Sequence, residues 1–214
     1  MKAIVIGSTG LVGEHVLQLL STDNRFTSVT ALVRKTGAIK SNKITYQIFD
    51  FDNMNAALIS GDVLFCALGT TLKKAGSKEA QYKIDVTYNF ETAKHAKEND
   101  VKFLAHVSSL GANAQSSNFY LRVKGELEEK LKELAFEKTI IVRPSFILGN
   151  RKEFRLAEKI GIIIMKGLGF LMLGPLKKYK GIHALKIAKC MIEGVCNSSN
   201  KGFQVIESDE IQRY

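Results

Sequence analysis

Lys2-Ala3-Ile4-Val5-Ile6-Gly7-Ser8-Thr9-Gly10-Leu11-Val12-Gly13 decides how this chain is read. A short apolar run passes straight into a turn built on Gly7, Gly10 and Gly13. Beyond the turn Val12, Val16, Leu19 and Leu20 recur at helical spacing. Strand, glycine turn and amphipathic helix, in that order, make a dinucleotide phosphate site, because the free N–H groups of the first helical turn face the loop. Gly7 is expected to permit the tight turn, Gly10 to let backbone approach a pyrophosphate, and Gly13 to bring helix and strand together. Ser8, Thr9, Leu11 and Val12 complete the candidate phosphate loop.

Outward from this unit, apolar runs predict strands over 3–6, 29–33, 44–48, 63–67, 103–107, 139–142 and 203–206. Helical patterns fall over 11–21, 53–60, 77–99, 119–136, 151–169 and 183–196. Regular alternation of this kind predicts an α/β fold: a Rossmann-type, doubly wound parallel sheet of about seven strands with helices on both faces. Right-handed crossovers place a ligand at the carboxyl ends of the strands. Pro144 and Pro175 are the only prolines, and no linker or repeat divides the chain. One domain over 1–214 is expected, with residues 144–201 contributing a small substrate-side lobe.

A formal charge of +10 invites a nucleic-acid reading. The lysines, however, are interleaved with acids, as in Glu126-Leu127-Glu128-Glu129-Lys130, and the densest basic piece, Lys177-Lys178-Tyr179-Lys180, is short. The pattern fits a solvated basic surface that attracts anionic small molecules rather than a specific nucleic-acid site. No segment reaches the ~18 apolar residues of a membrane span. The N-terminus reads as a strand and not as a signal peptide. Cys66, Cys190 and Cys196 form no CxxC pair, which points to a reducing compartment and no metal. A cytoplasmic monomer or homodimer is the expectation.

The second strand bears on the cofactor. An NAD site usually carries an acid about 20 residues past the glycine turn, bonded to the ribose 2′-hydroxyl. Here the chain reads Val33-Arg34-Lys35. Arg34 offers a planar cationic fork to a 2′-phosphate and Lys35 a second charge, so NADP is preferred over NAD. A plain solvated strand end is the alternative. Asp50-Phe51 follows the third strand, where the carboxylate could pair with the adenine amino group and the ring could cover the base. Ala67-Leu68-Gly69-Thr70 follows the fourth, where small residues let backbone pass close to a cofactor.

Tyr120-Leu121-Arg122-Val123-Lys124 is the second informative stretch. Positions i and i+4 share a helix face, so phenol and ammonium point the same way. A cation beside a tyrosine favours its ionised form, which suits proton exchange with a carbonyl oxygen. The same spacing also arises by chance, with Lys124 snorkelling from a surface. Upstream, Val107-Ser108-Ser109 ends the fifth strand. Ser109 is chosen to orient a substrate carbonyl and Ser108 to face the nicotinamide side, unless both simply cap the loop. Ser116-Ser117-Asn118 reads as an N-cap cluster for the Tyr120 helix.

Taken together, the glycine turn, Ser109 and Tyr120-x-x-x-Lys124 resemble the short-chain dehydrogenase/reductase superfamily in its extended or atypical branch. Arg143-Pro144-Ser145-Phe146-Ile147-Leu148-Gly149 resembles the proline segment that lies along the nicotinamide in that branch, which adds Pro144 and Phe146 to the cofactor set. Ser117-Asn118-Phe119-Tyr120 with Val123-Lys124-Gly125-Glu126 is similar to the Tat-interacting-protein-like group of NmrA-like, NAD(P)-binding proteins. The resemblance implies Tyr120 as acid/base, Ser109 as carbonyl orienter and Lys124 as the residue that holds the nicotinamide ribose. It also marks a departure: Asp85, in Lys83-Ile84-Asp85-Val86, stands where many relatives carry an asparagine that relays protons.

His15, His95, His106 and His183 have no paired spacing, and His106 reads as a satisfied core or cleft histidine. Residues 161–174 form an apolar, glycine-broken stretch that core packing, a substrate wall or a surface patch would each explain. These readings converge on an NADP(H)-dependent oxidoreductase acting on a small carbonyl or alcohol substrate of apolar character. The second reading is an NAD(P)-binding regulator with little or no turnover.

Overall fold

The computed structural model describes residues 1–149, 179–199 and 201–214. Seven strands form one parallel sheet: β1 (Lys2–Ile6), β2 (Ser28–Val33), β3 (Ile44–Ile48), β4 (Val63–Cys66), β5 (Phe103–Val107), β6 (Lys138–Arg143) and β9 (Gly202–Glu207). Their order is β3-β2-β1-β4-β5-β6-β9, and each neighbouring pair is parallel. The chain therefore winds one way from β1 to β3 and the other from β4 outward. The winding direction switches between β1 and β4, and the carboxyl ends of strands at such a switch are where doubly wound folds bind their ligands.

Alternation along the strands sends side chains into two cores. Ala3, Val5, Ala31, Val63, Phe65 and Ala105 face α1 (Leu11–Thr22) and α6 (Ala184–Cys196). Ile4, Ile6, Leu32, Leu64, Cys66 and Leu104 face α4 (Tyr88–Glu98) and α5 (Phe119–Glu133). Both faces of the sheet are thus covered, which is why its strands read as continuous apolar runs. Lys138, only 6% exposed, turns its ammonium to the Val195 and Asn197 carbonyls and closes the end of α6.

Three local expectations are corrected. Residues 53–60 hold only a 3₁₀ turn, Ala56–Leu58, because the Asn99 amide takes the Ala56 and Ile59 carbonyls that a longer helix would use. The helix expected over 77–99 runs unbroken over 78–98 but widens to a π-turn within it. After α2 (Leu72–Ala75), α3 (Lys78–Tyr82) leads into a π-turn, Lys83–Thr87, before α4 begins. Two short strands were not anticipated, β7 (Ile147–Leu148) and β8 (Ile182–His183), which pair in parallel; a last short helix, α7 (Ser208–Ile211), follows β9. The helix expected over 151–169, the apolar stretch 161–174, Pro175, Lys177 and Lys178 lie outside the described residues.

Candidate functional site

The glycine loop sits at the switch point, and its glycines are there for different reasons. Gly7 has φ +74°, and a Cβ on it would stand 2.3 Å from the Ala67 carbonyl carbon and the Leu68 nitrogen. It is therefore required both by its left-handed conformation and by contact with the loop after β4. A Cβ on Gly13 would stand 2.2 Å from the Gly7 carbonyl oxygen, so helix and turn touch through backbone alone. Gly10 closes the turn by donating to the Gly7 carbonyl at 2.9 Å and is exposed. It is also the N-cap of α1 without a side-chain cap, which leaves the first-turn N–H groups of Leu11, Val12 and Gly13 for a ligand. The Ser8 hydroxyl is buried in the same loop with no hydrogen-bond partner among the described residues. These features fit a nucleotide pyrophosphate.

The other expected cofactor contacts lie along the same edge. Arg34 and Lys35 are exposed just beyond β2 and make no hydrogen bond or ion pair among the described residues. Asp50 is exposed beyond β3, where the Asp52 amide and the Asn53 side chain hold its carboxyl below the usual carboxylate range. Phe51 departs from expectation. Its ring is 8% exposed and packs edge-on to Phe49 and against Tyr88, so it forms part of the core and does not cover a base. Pro144 is buried and its carbonyl accepts from the Leu110 amide, which ties the two loops after β5 and β6 together. Phe146 is exposed, and Gly149 abuts Leu11 of the glycine loop, with 2.8 Å between its would-be Cβ and the leucine methyl.

Tyr120 and Lys124 share one face of α5, whose first turn is capped by the Asn118 side chain accepting from the Tyr120 and Leu121 amides. The Lys124 ammonium lies 6.0 Å from the centroid of the Tyr120 ring. It does not snorkel, since Lys124 is only 5% exposed. Its charged partner is Asp85, fully buried, with its Oδ2 3.9 Å away. Asp85 Oδ1 accepts the Thr70 amide at 2.6 Å, and a Cβ on Gly69 would stand 3.6 Å from both Oδ1 and the ammonium. The loop after β4, the π-turn and α5 therefore meet at this ion pair.

Ser109 is half-buried, and its hydroxyl has only a loose 3.4 Å contact with the Leu110 carbonyl. The loop that follows it lies along α5: Asn113 donates to the Leu121 carbonyl, and Gly125 accommodates the backbone of Asn113 and Ala114. Ser108 is corrected. It is buried, and its hydroxyl donates to Glu128 instead of facing the nicotinamide side. Glu128 in turn receives the Arg143 guanidinium, which also reaches Glu207 at 3.0 Å. The hydrogen bond and charge of Glu128, and then those of Glu207, make the guanidinium hold its proton more tightly, against the opposing effect of its burial. Glu128 and Glu207 were not singled out from the sequence, since nothing in a single chain pairs residues so far apart.

His106 lies in the core as expected, but it is not satisfied there. It is fully buried at β5, and neither ring nitrogen has a hydrogen-bond partner among the described residues; the Cys66 backbone lies near the ring but outside hydrogen-bond geometry. Burial, then the Lys124 charge, hold it well below the ordinary histidine value of 6.5, so it is neutral in the fold. Unfolded, it takes a proton as pH falls through about 6.5. Its contribution to stability is complete above that pH and declines below it, by about 1.4 kcal/mol per pH unit for one proton. Urea unfolding at pH 7.5 and 5.5 should show this decline, and His106→Leu should remove one proton's worth of the slope. Identical slopes in the two proteins would refute the assignment.

A parallel sheet wound in two directions, with a glycine turn and free helix N-terminus at the switch point, defines an NAD(P)-binding Rossmann domain. Comparison with known proteins agrees. Residues 7–160 match the NAD(P)H-binding family, and the chain belongs to that family together with the FMP52 proteins. It is 36% identical to "Protein FMP52-1, mitochondrial" of Scheffersomyces stipitis over 94% of this chain and 91% of that one. It is 41% identical to "Protein FMP52, mitochondrial" of Candida albicans over 72% and 70%.

Among solved structures, MoeE5 in complex with UDP-glucose and NAD superposes with a TM-score of 0.72 at 14% identity, covering 99% of this chain and 79% of that one. A short chain dehydrogenase family protein from Francisella tularensis gives 0.66 at 14% identity, over 100% and 99%. The expected cytoplasmic address is overturned by the FMP52 relatives, which are named mitochondrial. Three unpaired cysteines suit any thiol-reducing compartment and never separated the two. Among the described residues no helix is long and apolar enough to cross a membrane.

Proposed function

We propose that this protein is an NADP(H)-dependent oxidoreductase that acts on a small carbonyl or alcohol substrate, with Tyr120 as acid/base. The observation that carries the reading is the buried Lys124 ammonium, held beside the Tyr120 ring and against the loop that leaves the switch point. Gly7, Ser8, Gly10 and the α1 amides hold the pyrophosphate; Ala67 to Thr70, Val107, Pro144 and Phe146 line the path of the nicotinamide half. Bound there, the nicotinamide supplies or accepts a hydride. Ser109 orients the substrate carbonyl, and the Tyr120 phenol gives its proton to the carbonyl oxygen or takes it back in the reverse direction. Residues 144–201 are assigned to the substrate side.

NADP preference rests on Arg34 and Lys35, cations without an ion-pair partner among the described residues, at the end of β2 where an NAD site carries an acid. Arg34→Asp should weaken NADPH binding by about 10-fold or more while NADH binding changes little, because only the former brings a 2′-phosphate to the fork. Fluorescence titration with both nucleotides measures it; equal losses would remove Arg34 from that role.

One observation favours a second reading, a regulator that docks the nucleotide with little turnover. Asp85 places a negative charge against Lys124, where the charge of that lysine serves the tyrosine. NADPH oxidation against a panel of aldehydes, ketones and quinones separates the two. Turnover with any of them supports the enzyme, and tight NADPH binding with no turnover across the panel supports the regulator.

A further inference from the structure

We propose that Asp85 sets the balance between the oxidised and reduced forms of the bound nicotinamide cofactor. The inference rests on the cleft being the cofactor site described above, and it adds a determinant of which redox form that site favours.

The hydrogen bond that Asp85 makes does not require a charge. Its Oδ1 accepts the Thr70 amide at 2.6 Å, and an asparagine oxygen in the same place would accept it equally well. What only a carboxylate supplies is the negative charge. Asp85 is fully buried, and among the described residues its Oδ2 accepts no hydrogen bond. Burying a carboxylate with one oxygen unsatisfied is costly, and the helix departs into a π-turn to place it there. A charge kept at that cost acts on the site.

The charge balance around the Lys124 ammonium is short. The π-turn contributes Asp85, 3.9 Å away. β5 contributes His106, neutral because it is buried. On α5 itself, Tyr120 lies one turn before the lysine, and Glu128 one turn after is engaged by Arg143 from β6. Among the described residues the local sum is Lys124 against Asp85.

An oxidised nicotinamide ring is cationic and a reduced one is neutral. An uncompensated ammonium beside the ring would disfavour the oxidised form, and in a buried site a unit charge acts over several ångströms with little screening. Asp85 offsets that bias and lets the site hold both forms.

The test compares dissociation constants for NADP⁺ and NADPH, with NAD⁺ and NADH in parallel, by calorimetry in wild type, Asp85→Asn and Lys124→Met. Asp85→Asn keeps the acceptor for Thr70 and removes the charge. The ratio of oxidised to reduced Kd should rise by about tenfold in Asp85→Asn, and fall in Lys124→Met even though that variant binds both forms more weakly. A purely structural role would change both forms by the same factor. An unchanged ratio in Asp85→Asn, or ratios that move the same way in both variants, would overturn the proposal. A wild type that binds neither form would refute the cofactor reading itself, and this inference with it.

Discussion

Tyr120→Phe should lower NADPH-dependent turnover by about 10²–10⁴-fold, the usual range for removal of a positioned general acid. NADPH affinity should stay within about twofold, because the ring that lies over the Lys124 ammonium is retained and only the hydroxyl is lost. Steady-state kinetics on the best substrate from the carbonyl panel, with a parallel NADPH titration, measures both quantities. The separation of the two matters. A variant that lost affinity and rate together would point to a displaced helix, and one that kept its rate would remove the phenol from the chemistry.

The other large effect is on stability, at Gly125. Helix propensity alone predicts that Gly125→Ala stabilises the mid-helix position by about 1 kcal/mol. The packing predicts the opposite sign. A Cβ there would stand 2.2 Å from the Ala114 nitrogen and 2.3 Å from the Asn113 carbonyl carbon, and backbone cannot rotate away as a side chain can. The expected cost is about 3 kcal/mol, at the upper end for over-packing. It corresponds to a Tm lower by about 6–12 °C for a chain of this size. Thermal unfolding followed by circular dichroism reads it directly. Because the displaced loop also carries Ser109, activity at low temperature should fall as well. A Tm equal to or above wild type would mean that the loop can retreat from α5 without penalty.

The sheet was legible because each strand is a short apolar run ended by a turn, and because β–α alternation admits few windings. The phosphate loop was legible for the same local reason: Gly7, Gly10 and Gly13 lie within a single strand–turn–helix unit. Tyr120 and Lys124 were legible as an i, i+4 pair. The features that escaped are those made by distant partners. An apolar pattern over 77–99 cannot show the extra residue of the π-turn, so Asp85 could be noted as a departure but not placed against Lys124. The ring of Phe51 reads as free for a ligand because Tyr88, which packs against it, comes from α4. Ser108 reads as facing the cofactor because its acceptor, Glu128, sits about two and a half turns along α5 with nothing local to announce it. Gly125 looked like a tolerated helical glycine, and the reason for it lies in the backbone of Asn113 and Ala114.

The Arg143 anchor has a bearing on the order in which the molecule is made. One carboxylate that holds Arg143, Glu128, leaves the ribosome before the arginine does; the other, Glu207, comes 64 residues after it. A nascent chain can fold its glycine turn and the Tyr120 helix early, yet the loops after β5 and β6 keep an unfinished tether until β9 docks. The tie between the loops after β5 and β6 is therefore completed last, after the glycine turn is already formed.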